Sequence, residues 1–299
     1  MRPGDAKASD SLIRDLRAAV RRLPDLREAA KLYEIVLPLL RDAEGRVAPV
    51  SLSIDKIRAK LSMGTPLLQG IALELDRDKM HERMLRLAVA LENDGGKRRG
   101  QYHRIRRALE EGRLEADALL ASVMADSDTA AASVAEDLQV DPDLITALVH
   151  NALKPVMRLL CRQLTPLVDG IPWDLGYCFI CGSGAVLGEL QDHQLHKHLR
   201  CGQCGADWTF PRLRCSYCGN DDHHTLGLLH PDPWDGNARV EVCDRCKGYL
   251  KVIVSFAPTP ADHLPIEDLA TLHLDYIAQA HGYKRVPASV KNGHKICCG

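Results

Sequence analysis

Eight cysteines in four Cys-x-x-Cys pairs are the residues of this sequence best suited to chemistry. They follow one another between residues 178 and 246: Cys178/Cys181, Cys201/Cys204, Cys215/Cys218 and Cys243/Cys246. Each pair can form a metal knuckle, a tight turn that directs both sulfurs at one ion. Two knuckles complete a tetrahedral four-sulfur site, which suits zinc or a single iron ion. We therefore predict two metal ions, iron or zinc, held by these eight cysteines.

The residue after each pair supports this interpretation. A knuckle needs a positive φ just past its second cysteine, which favours glycine. Gly182, Gly205 and Gly219 occupy that position, while the fourth pair has Lys247 there and Gly248 one residue later. Sequential grouping of the knuckles, first with second and third with fourth, closes each site through a short excursion. A cross-braced grouping is the alternative.

Disulfides and redox dithiols explain the cysteines less well. The N-terminal residues lack a charged start followed by an apolar run, so we expect no signal peptide and a cytoplasmic protein with reduced thiols. Redox Cys-x-x-Cys pairs usually precede a helix in a βαβ setting, which the sequence does not show. No stretch of 18 apolar residues occurs, so we also expect no membrane span.

Motifs for catalysis are missing. The sequence has no phosphate-binding Gly-x4-Gly-Lys-Ser/Thr, no His-Glu-x-x-His and no Gly-x-Ser-x-Gly. Four protein ligands per ion would leave no open coordination position, so the ions would be structural or electron-carrying. We predict that the protein is not an enzyme and has no catalytic residues.

The elements that position the cysteines follow from the hydrophobic pattern. Apolar residues at helical spacing predict an irregular helical bundle over residues 1–170, including a long helix that starts at Pro142 after an Asp141 N-cap. Strand character then replaces this period, most clearly at 239–242 and 249–256. The predicted divisions are a helical domain at 1–170, metal modules at 175–212 and 213–258, a C-terminal helix at 262–284 and a flexible tail at 285–299.

Three further cysteines and a basic run stand apart from the pairs. Cys161 lies among leucines on the long helix and is predicted to be a buried apolar residue. Cys297 and Cys298 are adjacent in the predicted tail and are interpreted as incidental. The basic run at 97–107 is predicted to be a solvated face, with a partner or nucleic-acid patch as the alternative.

The C-terminal half resembles the FdhE family, the accessory proteins for formate dehydrogenase. The resemblance covers roughly residues 170–290 and ends with Gly282-Tyr283. It rests on five motifs in conserved order: YCFICGS at 177–183, LRCGQCGADW at 199–208, RCSYC at 214–218, EVCDRCKGYLKV at 241–252 and EDLATLHLD at 267–275.

This resemblance implies a helical N-terminal domain followed by two rubredoxin-like or zinc-ribbon-like knuckle modules and a C-terminal helix. It implies iron as the metal, with zinc as a substitute, and the eight knuckle cysteines as ligands. It also implies a role in maturing formate dehydrogenase, by binding its molybdenum- or tungsten-containing catalytic subunit in the cytoplasm before export.

Two other functions fit parts of the sequence. A nucleic-acid-binding zinc-ribbon protein would use the basic run together with Lys197, Arg200, Arg212 and Arg214, although a net charge of −1 gives no overall attraction to nucleic acid. A rubredoxin-like electron carrier would pass one electron through an iron–thiolate centre.

Overall fold

Residues 3–22, 27–41, 50–94, 96–114, 119, 129–234 and 236–285 are described by the computed structural model of this chain. The chain divides into two compact units. The first contains residues 1–50 and 70–160, and the second contains residues 51–69 and 161–299.

Nine α-helices occur within the described residues. In chain order they are α1 (Pro3–Arg22), α2 (Arg27–Arg41), α3 (Ile54–Ser62), α4 (Arg77–Asp94), α5 (Arg99–Glu110), α6 (Thr129–Leu138), α7 (Pro142–Leu164), α8 (Leu264–Ala270) and α9 (Leu272–Ala280).

The first unit is a helical bundle whose core is aliphatic. Helix α7 begins at Pro142 as the sequence predicts, and the side chain of Asp141 accepts a hydrogen bond from the backbone N–H of Asp143. The buried guanidinium group of Arg83 on α4 donates to the backbone oxygen of Ala152 on α7 at 3.1 Å. Leucine, isoleucine, valine, methionine and alanine fill the other core positions, as expected for a chain with only 4% aromatic residues.

One segment of the described residues, Pro142–Val168, is long and apolar enough to cross a membrane by length and composition. Of its most apolar window, 67% is buried inside the protein. Core helices of soluble proteins satisfy the same criterion, so this segment is weak evidence for a membrane span.

The second unit contains a six-stranded sheet in the spatial order β3-β2-β1-β6-β5-β4. The strands are β1 (Ala185–Gln191), β2 (His196–Cys201), β3 (Asp207–Thr209), β4 (Leu226–Leu229), β5 (Ala238–Cys243) and β6 (Tyr249–Val254). The first three strands and the last three each form an antiparallel set. A parallel pairing of β1 with β6 joins the two sets, with Gly188 opposite Val252.

Helix α9 covers one face of the second strand set, and α8 lies against β1. Val240, Val242 and Tyr249 of that face pack against Leu274 and Ala278 of α9. A single C-terminal helix was expected, but the helix is interrupted at Thr271, whose hydroxyl donates to the backbone oxygen of Glu267. This local hydrogen bond competes with regular helix geometry, which explains the break.

The predicted fold class is confirmed: a set of helices comes first, two zinc-ribbon-like modules follow, and the C-terminal region is helical, as α8 and α9. The exact domain boundaries stay a prediction. The tail predicted at 285–299 lies outside the described residues apart from Arg285, and so do Cys297 and Cys298.

Candidate metal centres

The eight knuckle cysteines gather into two groups of four in the sequential grouping. In the first group, Sγ of Cys178 lies 3.5 Å from Sγ of Cys204, and Sγ of Cys181 lies 3.5 Å from Sγ of Cys201. The side chains of Cys178, Cys201 and Cys204 are buried, and that of Cys181 is half-buried. The structure thus places all four predicted residues around one point.

The second group has the same layout. Sγ of Cys215 lies 3.7 Å from Sγ of Cys246, and Sγ of Cys218 lies 3.8 Å from Sγ of Cys243. Only Cys218 is more than slightly exposed. Each group therefore exposes the second cysteine of its first knuckle and buries the other three.

These distances fit a metal ion. Four sulfurs placed about 2.3 Å from one ion at tetrahedral angles are about 3.8 Å from each other. The measured separations in the two groups run from 3.5 to 3.8 Å. Each group could hold one metal ion, and the all-sulfur donor set suits both zinc and iron. Ligation by these eight side chains stays a prediction.

Each knuckle is closed by the same backbone hydrogen bonds. The N–H of the first cysteine donates to the carbonyl five residues later, as in Cys178 to Ser183 at 2.9 Å and Cys243 to Gly248 at 3.0 Å. Such a turn requires left-handed backbone just after the second cysteine. Gly182 has φ 81° there, and Lys247 takes φ 55° in the fourth knuckle, where glycine is missing.

Backbone N–H groups inside the knuckles point at sulfur. The N–H of Ile180 donates to Sγ of Cys178, and that of Tyr217 donates to Sγ of Cys215, both at 3.4 Å. The side-chain amide of Asn220 lies 3.6 Å from Sγ of Cys243. These donors stabilise negative charge on the sulfurs, which favours the thiolate form that binds metal.

Burial and neighbouring sulfurs shift the pKa values of several of these thiols. Hydrogen bonds from neighbouring sulfurs lower the pKa of Cys181 well below its ordinary value, whereas burial raises the pKa of Cys178. In the second group, a hydrogen bond with Cys246 lowers the pKa of Cys215 to about 5, and burial raises the pKa of Cys218 to about 11. A divalent cation among the sulfurs would stabilise the thiolate form of all four.

Cys161 has a role that the sequence interpretation missed. Its side chain is buried, as predicted, and the neighbouring thiol of Cys204, a member of the first group, lowers its pKa. Its sulfur lies 3.6 Å from the hydroxyl of Thr165, one helical turn later. The only signal in the sequence is a thiol on an apolar helix face, which also describes an ordinary core cysteine.

Residues 51–69 also support the first group, although nothing in their sequence indicates it. The backbone N–H groups of Leu67 and Leu68 donate to the carbonyls of Phe179 and Ile180, the two residues between Cys178 and Cys181. The hydroxyl of Tyr177 donates to the backbone oxygen of Gly64 at 2.7 Å. This loop after α3 therefore holds the first knuckle from outside.

The basic residues proposed for nucleic acid are largely engaged in ion pairs. Arg200 is buried against Glu189 at 2.6 Å, and Lys197 is buried against Glu241. In the basic run, Arg106 pairs with Glu92 and Glu110. Most of this positive charge is therefore compensated inside the protein.

None of the histidines in the described ranges joins either sulfur group. Asp222, His223 and His224 form a third cluster of possible ligands, but all three are exposed, and such surface groups are common without an ion. His196 and His198 lie on β2, where they pair with Asp192 and Asp207.

Comparisons with known proteins point in one direction. The family model named "FdhE, C-terminal domain" matches residues 213–290. An FdhE homolog from Aquifex aeolicus is 26% identical over 153 residues, which is 49% of this chain and 52% of that protein. An FdhE homolog from Shewanella oneidensis is 34% identical over 108 residues, 36% of this chain and 35% of that protein. The matched regions thus span about half and about a third of these relatives.

The fold has a solved counterpart along nearly its full length. The crystal structure of the FdhE protein from Pseudomonas aeruginosa aligns with a TM-score of 0.57 at 22% sequence identity, covering 95% of this chain and 93% of that one. At this identity the likeness concerns the fold. Together with the two sulfur groups at the motif positions, these matches confirm the resemblance of this chain to the FdhE family, and its residues 213–290 match the C-terminal domain of that family.

Proposed function

We propose that this protein is an accessory factor for formate dehydrogenase, which binds the molybdenum- or tungsten-containing catalytic subunit in the cytoplasm and supports its activation before export. The observation that carries the proposal is the pair of four-sulfur groups at the motif positions that the FdhE resemblance defines. The matches to FdhE homologs and to an FdhE crystal structure support it.

The role of the two ions in this proposal is structural. Four sulfur ligands around each ion leave no position for a substrate, which favours a binding protein over an enzyme. The ions would fix the knuckles and hence the sheet edges and loops around them. The cysteines from Cys178 to Cys246 would be the metal ligands, and iron or zinc would be the metal.

Co-purification tests this function. The tagged protein should enrich the formate dehydrogenase catalytic subunit from cells that make the enzyme, and deletion of the gene should abolish formate oxidation. The catalytic subunit of an unrelated molybdenum enzyme serves as the control for specificity. Absence of enrichment together with unchanged formate oxidation would reject the proposal.

An electron-carrier function is tested separately, because an all-sulfur site accepts iron as well as zinc. Elemental analysis and the visible spectrum of the purified protein distinguish these cases. Iron with absorbance that bleaches reversibly on reduction would support electron transfer, whereas a colourless zinc protein would reject it.

A further inference from the structure

A cleft of about 270 Å³ opens on the sheet face of the second module. Its floor is formed by side chains on the face of the sheet opposite α9, including Leu226 on β4, Glu241 on β5 and Leu250 on β6. Its other wall is the segment from Arg212 to Tyr217, which leads into the third knuckle. The cleft therefore lies directly beside the second sulfur group.

Two large apolar side chains stand open to solvent at this cleft. Leu213 is 68% exposed and Leu228 is 55% exposed, while Leu250 beneath them is buried. Exposed aliphatic side chains around an apolar floor are typical of a surface that binds another molecule.

Basic side chains outnumber carboxylates in the lining of the cleft. Its lining carries four cations, Lys197, Arg212, Arg214 and Arg239, against the single carboxylate of Glu241. Lys197 and Arg239 both contact that one carboxylate, and Arg214 pairs with Asp174. Within the part of the chain that the structure describes, Arg212 has no ion pair, and Nε of Arg239 is buried without a hydrogen-bond acceptor. The cleft thus has unused capacity for a carboxylate.

The rim of the cleft includes an open sheet edge. Among the residues that the structure describes, strand β4 pairs only with β5 and ends the sheet on this side. Its sequence, Leu226-Gly227-Leu228-Leu229, has none of the charges or prolines that usually protect edge strands from pairing. An extended peptide could therefore add backbone hydrogen bonds along β4 while its side chains reach the cleft.

We propose that this cleft binds an extended acidic peptide segment of a protein partner, with an apolar side chain between Leu213 and Leu228 and carboxylates at Arg212 and Arg239. The apolar floor favours a peptide over nucleic acid. Tyr217 is the single aromatic residue among the described lining residues, so the cleft offers little aromatic surface for base stacking. The inference rests on the proposed function only in taking the catalytic subunit as the source of the segment.

A peptide titration tests the cleft without the client. The probe is a labelled peptide that alternates Glu and Leu, added to the full-length metal-loaded protein at physiological salt and followed by fluorescence anisotropy. We expect binding that weakens at least about tenfold in Arg212→Glu and in Leu213→Asp. Both residues are exposed, so neither change should unfold the module. Arg58→Glu and Met63→Asp, exposed residues outside the cleft, are the matched controls and should bind like the wild type.

Three results would contradict the proposal that the cleft binds an acidic peptide. They are no binding of the Glu–Leu peptide, equal binding by all variants, or tighter binding of a Lys–Leu peptide or a single-stranded oligonucleotide. Capture of the intact catalytic subunit separates this inference from the proposed function. If wild type and Arg212→Glu capture the subunit equally, the proposed role of the cleft is rejected and the proposed accessory function is retained. If the peptide binds as expected but wild type captures no subunit, peptide binding by the cleft is retained and the proposed accessory function is rejected.

Discussion

The ammonium group of Lys251 on β6 lies 2.7 Å from a carboxylate oxygen of Asp275 on α9, and both side chains are buried. The same ammonium group lies 2.7 Å from a carboxylate oxygen of Asp268 on α8, and the hydroxyl of Tyr249 donates to Asp275. A satisfied ionic network thus fastens the C-terminal helices to the middle of the sheet. Removing one partner of such a buried network greatly lowers the free energy of unfolding, because an uncompensated charge is left buried.

Replacing Lys251 should therefore destabilise the second unit strongly. Lys251→Met leaves the buried carboxylate of Asp275 with only the more distant guanidinium group of Arg285, 4.0 Å away, and we expect a loss of roughly 3 kcal/mol in the free energy of unfolding. Urea unfolding of the metal-loaded protein measures this loss. The control is Lys247→Met, which removes an exposed ion pair with Asp244 and should leave the free energy of unfolding nearly unchanged. Equal losses in the two variants would contradict this account of the network.

Removal of the metal should unfold the knuckle modules. Binding of structural zinc is worth about 10–16 kcal/mol in small peptides, and that energy is folding energy. With a strong chelator under reducing conditions, amide hydrogens of the strands from β1 to β6 should exchange rapidly. Amide hydrogens of α4 and α5 should keep their protection, because the first unit contains none of the eight cysteines. Full protection of the strands after complete removal of the ions would refute the structural role.

The two ions should be lost separately in single-site variants. Cys181→Ser and Cys218→Ser each remove one sulfur from one group, at the more exposed ligand position. Elemental analysis should give two ions per chain for the wild type and about one for each variant. The double variant should contain none. Retention of two ions in either single variant would show that the group in question is not the site.

Cys161 should tune the first ion without holding it. Cys161→Ala removes the thiol beside Cys204 and should weaken binding of the first ion on the order of tenfold, the low end for neighbours of metal ligands. Cys161→Ser keeps a donor at this place and should lose less. Competition with a chromophoric chelator measures both affinities. Loss of an entire ion in Cys161→Ala would instead make this residue a ligand.

The first unit should lose stability in acid through Glu92. Hydrogen bonds from Arg106 and His103 lower the pKa of this carboxyl below its ordinary value of 4.5. A carboxyl with a lowered pKa stabilises the fold above its unfolded pKa, and this contribution disappears as the pH falls through the folded pKa. Exchange of α4 and α5 amides, corrected for intrinsic rates, should therefore show extra opening below about pH 4.5.

Glu92→Gln is the matched variant for this pH dependence. It should lack the extra opening in acid and be less protected than the wild type near neutral pH, by about 1 kcal/mol or less. An identical acid response in the variant would assign the effect to other carboxyl groups.

Local signals in the sequence predicted much of the metal-binding half. The glycine after three of the knuckles marks a left-handed turn, and strand β6 reads as a run of β-branched and apolar residues. Strand β2 was missed because its sequence, HKHLRC, shows no apolar alternation. Its Lys197 and Arg200 are buried only because Glu241 and Glu189 lie opposite them.

Long-range relationships were beyond the sequence. The hydrogen bonds from Leu67 and Leu68 to the first knuckle connect segments more than a hundred residues apart, and they run through backbone atoms that carry no residue-specific signal. The contact of Cys161 with Cys204 is equally invisible, because a buried thiol on a helix has the same pattern whether or not a second sulfur lies near it.

The parallel pairing of Gly188 with Val252 has a consequence for biosynthesis. Strand β1 is translated before its neighbour β6, which is the last strand among the described residues. The first module must therefore wait, with one side of β1 uncovered, until the second module has been translated in full. A chain truncated before β6 would leave the edge of β1 free to pair with other proteins. Loading of metal into the first knuckles during translation would shorten the interval in which the nascent chain can aggregate.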